Sequence, residues 1–171
     1  MSEIRLVQRS ELERVRELED LAGERYAQAG LPPHLEGLSP ETILTASEQR
    51  LLWVIDEPNA PFVGFALCWE RPKALHLREL DVHPAWMGKG LGRRLVEHVV
   101  ERARDLGLES VTLTTFRDVP WNAPLYRRWG FEVLEPSALP PWLRDVRNAE
   151  DASDLRHWPR VAMRRQVRVN D

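Results

Sequence analysis

Gly88, Gly90 and Gly92 fall within five residues, between a stretch that reads as a strand and one that reads as a helix. Upstream, ALHLRELDV (74–82) carries the apolar pattern of a strand, and His83-Pro84 ends it. Downstream, Leu91, Leu95, Val99, Ala103 and Leu106 recur on one helical face, and Gly107 stops the helix. A strand, a glycine-rich turn and a helix start in that order make an anion site. Glycine lets backbone N–H groups come close to oxygen, and the helix N-terminus adds partial positive charge. Lys89, Arg93 and Arg94 bring further cations, so a phosphate or pyrophosphate is the natural ligand. A purely structural turn would also use the conformational freedom of these glycines. The stretch is not a P-loop, because Gly90 follows Lys89 where Ser or Thr is needed. Nor is it a dinucleotide fingerprint, because Arg93 stands where the third glycine would fall.

The remaining segments set this unit in a mixed α/β chain. IRLVQR (4–9) reads as a first strand, and Ser10 with Glu13 as a capping box for a helix burying Leu12, Val15, Leu18 and Ala22. Gly30-Leu31-Pro32-Pro33 breaks the chain, and Ser39-Pro40 opens a second helix. LLWVI (51–55), a turn at 56–59, and PFVGFALCWE (61–70) continue into strand 74–82 as an antiparallel meander. After the glycine helix come strand SVTLTTF (110–116), a short helix from Asn122 to Trp129 closed by Gly130, and strand FEVLE (131–135). A helix over 141–152 and a last strand RVAMRRQV (160–167) complete the pattern. The expected architecture is a single α/β (α+β) domain over 1–171, with a mixed, mostly antiparallel central sheet and helices on both faces.

Composition narrows the function classes. The 171 residues are 43% hydrophobic and 30% charged, with a net charge of −3, so a general nucleic-acid-binding field is not expected. No apolar run approaches the roughly 20 residues that span a bilayer, and the charged start MSEIRLVQRSELERV does not read as a signal peptide. The one cysteine, Cys68, has no internal partner and reads as core rather than nucleophile. No Cys/His cluster has metal spacing. Cytoplasmic location without membrane, nucleic-acid or metal partners is the expectation. The seven tryptophans read as core and interface fillers, with Trp86, Trp121 or Trp142 as candidates to line a ligand cleft.

LDVHPAWMGKGLGRRLVEHVVERA (80–103) resembles the acetyl-CoA signature of the GNAT N-acetyltransferase superfamily. Leu80-Asp81-Val82, Pro84, Gly90 and Gly92 match it, whereas the family's Gln or Arg falls on Met87. Tyr126-Arg127-Arg128-Trp129-Gly130-Phe131 resembles a second family block, Tyr-x-x-x-Gly-Phe, and TLTTFRDVPWNAPLYRRWGF (112–131) a bacterial subgroup of mostly unassigned acceptor. Order and spacing from Ile4 to Val167 fit the family's acyl-CoA N-acyltransferase fold. The resemblance implies an acetyl-CoA-dependent N-acetyltransferase that moves acetyl to a primary amine by direct attack in a ternary complex. It implies acetyl-CoA held by the backbone of Leu80, Asp81 and Val82, by Met87, Gly88, Lys89, Gly90, Leu91, Gly92 and Arg93, and by Asn122 and Tyr126. The loss of a polar side chain at 87 is expected to weaken cofactor affinity without abolishing it. A homodimer is compatible with the fold, and the acceptor is either a small-molecule amine or a peptide or protein amine.

The chemistry needs a base for the acceptor ammonium and an acid for the departing thiolate. Glu79, three residues before Val82, is the first candidate base and His76 the second, with Asp81 a third. Strict alternation puts His76 and Glu79 on opposite faces of the strand, and a bulge would reverse that parity. Both also fit an ordinary ion-paired carboxylate and a partly buried histidine. By the resemblance Tyr126 is the acid. Two rival readings are a non-catalytic acyl-CoA-binding or sensing domain, which the Met87 departure suits, and a nucleotide-binding regulatory module built on 88–92.

Overall fold

The computed structural model describes residues 1–31 and 37–168. Their strands form a seven-stranded, mostly antiparallel sheet in the order β1-β2-β3-β4-β5-β7-β6, accompanied by helices. The strands are β1 (Glu3–Leu6), β2 (Leu52–Glu57), β3 (Ala60–Arg71), β4 (Ala74–Val82), β5 (Ser110–Phe116), β6 (Glu132–Val133) and β7 (Arg160–Gln166). The helices are α1 (Leu12–Gln28), α2 (Pro40–Glu48), α3 (Leu91–Asp105), α4 (Ala123–Arg128) and α5 (Pro141–Asp151). The described helices include none that is long and apolar enough to cross a membrane. The contacts divide the chain into two compact units. The first comprises Met1–Glu70 and Leu77–Arg102, and the second Arg71–His76 and the chain from Ala103 onward.

In the first unit β1 pairs antiparallel with β2, from Glu3 opposite Asp56 to Leu6 opposite Trp53, and β2 pairs antiparallel with β3. Val15 and Leu18 of α1 and Ile43 and Ala46 of α2 bury their side chains with Leu52, Val54, Phe65 and Leu67 of the sheet. Ser39 caps α2 by accepting from the Thr42 N–H, and Pro40 occupies its first turn. The β2–β3 register shifts between Ile55 and Glu57. There the buried Phe62 adopts φ +55°, an unusual value for a bulky residue, with its N–H bonded to Asp56 Oδ1 at 2.8 Å. Farther along β3, a Cβ on Gly64 would lie 3.0 Å from the Asp81 carbonyl oxygen, so only glycine permits this approach to the end of β4.

In the second unit Ala74–His76 of β4 run parallel to Ser110–Thr112 of β5. β5 pairs antiparallel with β7 along its whole length, and β7 with β6. The half-buried Glu150 of α5 fastens the helix to this sheet. It accepts from Thr114 Oγ1 on β5 and from Arg160 on β7, and pairs with Arg147 one turn back. Burial alone would raise its pKa, but the two guanidiniums and the hydroxyl hold it below the usual carboxylate range.

Several local expectations are revised. The capping box is formed by Gln8 and Glu11, not Ser10 and Glu13. Glu11 reaches back to the Gln8 N–H at 2.8 Å because a short 3-10 turn precedes α1. Leu106 is 48% exposed. The left-handed Gly107 turns the chain so that Leu108 bonds back to Ala103 O, and Leu108 is the leucine that is buried. The strand expected over 131–135 is only Glu132–Val133, and β3 begins at Ala60, one residue earlier than expected. The break expected at Pro32-Pro33 lies outside the described residues.

Replacing Glu150 by Gln should cost on the order of 3 kcal/mol, because two guanidiniums lose their carboxylate in a largely buried place. The Glu150 contribution is present at neutral pH, above the unfolded-chain carboxylate pKa, and is lost as pH falls through its depressed folded value. Denaturant melts from pH 7 to pH 3 should therefore show wild type and variant converging toward acid. A constant gap across that range would contradict this account.

Candidate active site

The site is built from the end of β4. His83 donates its backbone N–H to Val63 O at 2.7 Å, which ties the exit of the strand to β3. Its Nδ1 accepts from the Ala85 N–H at 3.1 Å and caps a 3-10 turn over Pro84–Trp86 that sequence periodicity does not reveal. The chain then enters the glycine loop. Gly88 and Gly90 have φ +76° and +80°, the left-handed conformations that favour glycine, and a Cβ on either would meet nothing within 4 Å. The loop is thus a backbone cradle open on its side-chain positions. It leads into α3 at Leu91, whose first turn holds no acidic residue. An anion there meets N–H groups that the helix leaves without intrahelical acceptors. The Lys89 ammonium rests 4.4 Å from the centre of the Trp86 ring, and Arg94 bonds the Ser2 carbonyl. Leu91 is buried under the helix start, while Gly88, Lys89 and Gly90 are exposed. Met87 Sδ lies 3.5 Å from Nη1 of Arg25 on α1, so the side chain at the departing family position engages a guanidinium.

The carboxylates of β4 form the second feature of this unit. Glu79 and Asp81, two residues apart on the strand, are in hydrogen-bonding contact with each other. Glu79 also pairs with Arg78 at 3.4 Å, and the Arg78 guanidinium lies 5.6 Å from the Trp69 ring centre. Asp81 is only 6% exposed. Burial pushes its pKa well above the usual carboxylate value, with Glu79 and then Glu19 adding to the rise and Arg25 opposing it. Glu19 on α1 is held by the Leu38 N–H through both oxygens, at 3.0 and 3.1 Å, and burial raises its pKa as well. Sequence reasoning passed over Glu19 and Arg25. Glu19 lies four residues after buried Val15, so a charge on the apolar stripe of α1 was the available signal.

In the second unit His76 is 1% exposed, with Nδ1 3.0 Å from Thr112 Oγ1 and its ring edge-to-face with Trp142 at 5.3 Å. Asn122 precedes α4 and is buried, and its Oδ1 accepts from Thr115 Oγ1 of β5 at 2.6 Å. Its carbonyl takes the Tyr126 N–H at 3.0 Å. The half-buried Tyr126 ring lies edge-to-face with Trp129 and Phe131, each at 5.6 Å. The Tyr-x-x-x-Gly-Phe spacing has a local cause. Left-handed Gly130, φ +89°, reverses the chain so that the Phe131 N–H bonds Tyr126 O and the two rings meet.

A sequence model of the acetyltransferase (GNAT) family matches residues 12–131. The chain belongs to this family. The GNAT chain is 29% identical over 168 residues to an amino-acid acetyltransferase of Ralstonia nicotianae, a match covering 92% of this chain and 33% of that relative. It spans 42%, 22% and 20% of the length of three further curated relatives. Among solved structures, N-acetylglutamate synthase from Neisseria gonorrhoeae, complexed with coenzyme A and N-acetyl-glutamate, has a TM-score of 0.76 at 16% identity, over 98% of this chain and 35% of that one. A ribosomal-protein alanine N-acetyltransferase from Escherichia coli gives 0.72 at 18% identity, over 100% and 97%. At these identities the structural likeness establishes the GNAT fold.

Gly90→Val should leave the GNAT chain folded, since the added side chain enters open space, at a backbone cost of about 1–2 kcal/mol for the left-handed conformation. It should abolish coenzyme A binding, because the side chain fills the cradle. Calorimetry with coenzyme A, beside circular dichroism to confirm folding, checks both. Unchanged affinity in a folded variant would remove the loop from the cofactor site.

Proposed function

We propose that this protein transfers the acetyl group of acetyl-CoA to a primary amine by direct attack in a ternary complex. The observation that carries the reading is the open glycine cradle after β4, in a chain of the GNAT family. The backbone of Met87, Gly88, Lys89, Gly90, Leu91, Gly92 and Arg93 suits a pyrophosphate, with Lys89 and Arg93 as cations. The backbones of Leu80, Asp81 and Val82 hold the pantetheine arm, and the Val82 N–H stabilises the charge that grows on the thioester oxygen. The curated relative from Ralstonia nicotianae is an amino-acid acetyltransferase, which supports an amine nitrogen as acceptor.

Glu79 removes a proton from the acceptor ammonium, and the neutral nitrogen attacks the acetyl carbonyl carbon. As the C–N bond forms the C–S bond breaks, and the Tyr126 phenol supplies the proton that the departing sulfur takes up. Asn122, whose Oδ1 accepts from Thr115 Oγ1, and Tyr126 one helical turn on are the residues of this segment that contact the cofactor. Exposure favours Glu79 over His76 as the base, since the Glu79 side chain is 27% exposed and His76 is enclosed between Thr112 and Trp142.

Tyr126→Phe keeps the ring and removes the donor, and Glu79→Gln keeps the shape and removes the base. Each should lower turnover about a hundredfold while coenzyme A affinity stays within roughly threefold. Coenzyme A release over an amine panel, followed by single-turnover rates, measures this. Wild-type turnover in Glu79→Gln together with a dead His76→Asn would move the base to His76.

A further inference from the structure

The helices α1, α2, α3 and α4 end in the same hydrogen-bonded turn. Leu31, Leu51, Leu108 and Phe131 each donate a backbone N–H to the carbonyl five residues back, and the residue before each donates to the carbonyl three back. That preceding residue takes a left-handed φ, which favours glycine. After α1, α3 and α4 it is Gly30, Gly107 and Gly130, whereas after α2 it is Arg50, with φ +60°. The turn makes the same demand in each case, so the arginine is kept against a backbone cost that the other three helix ends avoid. Its side chain lines a hollow of about 250 Å³ in the first unit. Arg50 is exposed, and no hydrogen bond or ion pair among the described residues engages its guanidinium. Arg5 of β1 lines the hollow too, but its donors are taken. Nε and Nη2 go to Asp56, Nη1 and Nη2 to Glu11, and Nη1 to the Leu6 carbonyl. Arg102 of α3 brings a third guanidinium. Among the described residues no Asp or Glu lines this hollow, and Asp56 and Glu11 are spent on Arg5. Trp53 of β2 gives it apolar surface, with the ring fixed edge-on to His98 at 5.2 Å between centroids. A second hollow of about 450 Å³ shares Ile4 and His98 with the first and continues along α3 to Gly90. Glu97 and Glu101 line that one, so an anion belongs at the Arg50 end.

We propose that this hollow is a second ligand site, which takes a small organic acid with its carboxylate on Arg50 and its apolar body against Ile4, Leu6 and Trp53. None of the residues that line it falls within 80–93, so the site is separate from the glycine loop, and the inference does not depend on the acetyl-transfer reading. A guanidinium offers two parallel N–H donors to a planar carboxylate, and Arg102 adds positive charge beside it. A neutral ligand of the same shape lacks that pairing, and an amine would bring a like charge to three guanidiniums. The volume limits the body to one ring or a short branched chain, since it lies below the roughly 300–1,000 Å³ of sites that take drug-sized molecules. Binding offsets the strain of a left-handed arginine, an exchange of stability for recognition that is found where proteins hold ligands.

The test uses the full chain and three acids, benzoate, 3-phenylpropionate and 4-methylpentanoate, each beside its neutral primary amide. Calorimetry should show at least one acid binding, about tenfold or more tightly than its amide. Arg50→Gly should then act in two opposite directions. Without ligand its melting temperature should rise by about 2–4 °C, because glycine takes the left-handed turn at no steric cost. Its affinity for the acid should fall about tenfold, while coenzyme A affinity is unchanged. Arg50→Lys keeps both a cation and the strain, so it should retain part of the acid affinity and gain no stability. Absence of binding by all three acids overturns the site, as does equal binding of acid and amide or an acid affinity unaltered in Arg50→Gly. A melting temperature that does not rise in Arg50→Gly overturns it as well, since the arginine would then need no reason beyond the turn. Displacement of the acid by coenzyme A would place the hollow within the cofactor site and overturn a second one.

Discussion

The backbone of β3 passes the end of β4 at Gly64 with no room for a side chain. A methyl group there would sit 3.0 Å from the Asp81 carbonyl oxygen, 3.0 Å from Ile55 Cγ2 and 3.3 Å from Val82 Cγ2. Close packing of this kind transmits small displacements rather than absorbing them. The position of Gly64 therefore governs where Asp81 and Val82 stand, and the bond from the His83 N–H to Val63 O carries that placement into the glycine loop. The glycine loop and the carboxylates of β4 depend on one strand end held from one side.

Two acidic residues show how environment decides the role of a carboxyl group. Glu150 and Asp81 are both largely withdrawn from water. Glu150 accepts from two guanidiniums and a hydroxyl, stays ionised, and fastens α5 to β5 and β7. Asp81 is buried, with Glu79 and then Glu19 adding to the effect of burial, and its pKa moves in the opposite direction. The first arrangement stabilises the fold. The second leaves a buried carboxylate oxygen unsatisfied, a cost that a proton relieves, which is why the pKa rises.

Much of the framework around the candidate site was legible in the sequence. β4 and β5 have the bounds read from sequence, because their apolar residues end at turn signals that leave no alternative register: Arg71-Pro72-Lys73 and His83-Pro84 around β4, Gly107 before β5. The glycine loop was legible because glycines at 88 and 90 are needed for φ values that other residues adopt at a cost. The Gln8–Glu11 box and the burial of Leu108 in place of Leu106 were not legible. Each depends on a turn one or two residues long, and a pattern with a period of 3.6 residues cannot resolve a shift that small.

By itself the sequence determined the chain's local grammar. It set which segments alternate, where glycine must turn the backbone, and that Tyr126 and Phe131 share one helix end. Local sterics and hydrogen bonds suffice for these, because they act between residues a few positions apart. Tertiary structure alone decided which charges meet. Glu19 and Asp81 are separated by more than sixty positions, and neither carries a mark in the sequence that names the other. Only the packing of α1 against the sheet brings Glu19 toward Asp81 and the Arg25 guanidinium to Met87, and only burial turns Asp81 from an ordinary strand carboxylate into one whose Oδ2 lacks a hydrogen-bond partner. Electrostatic energy depends on distance through space and on the exclusion of water, and sequence order specifies neither.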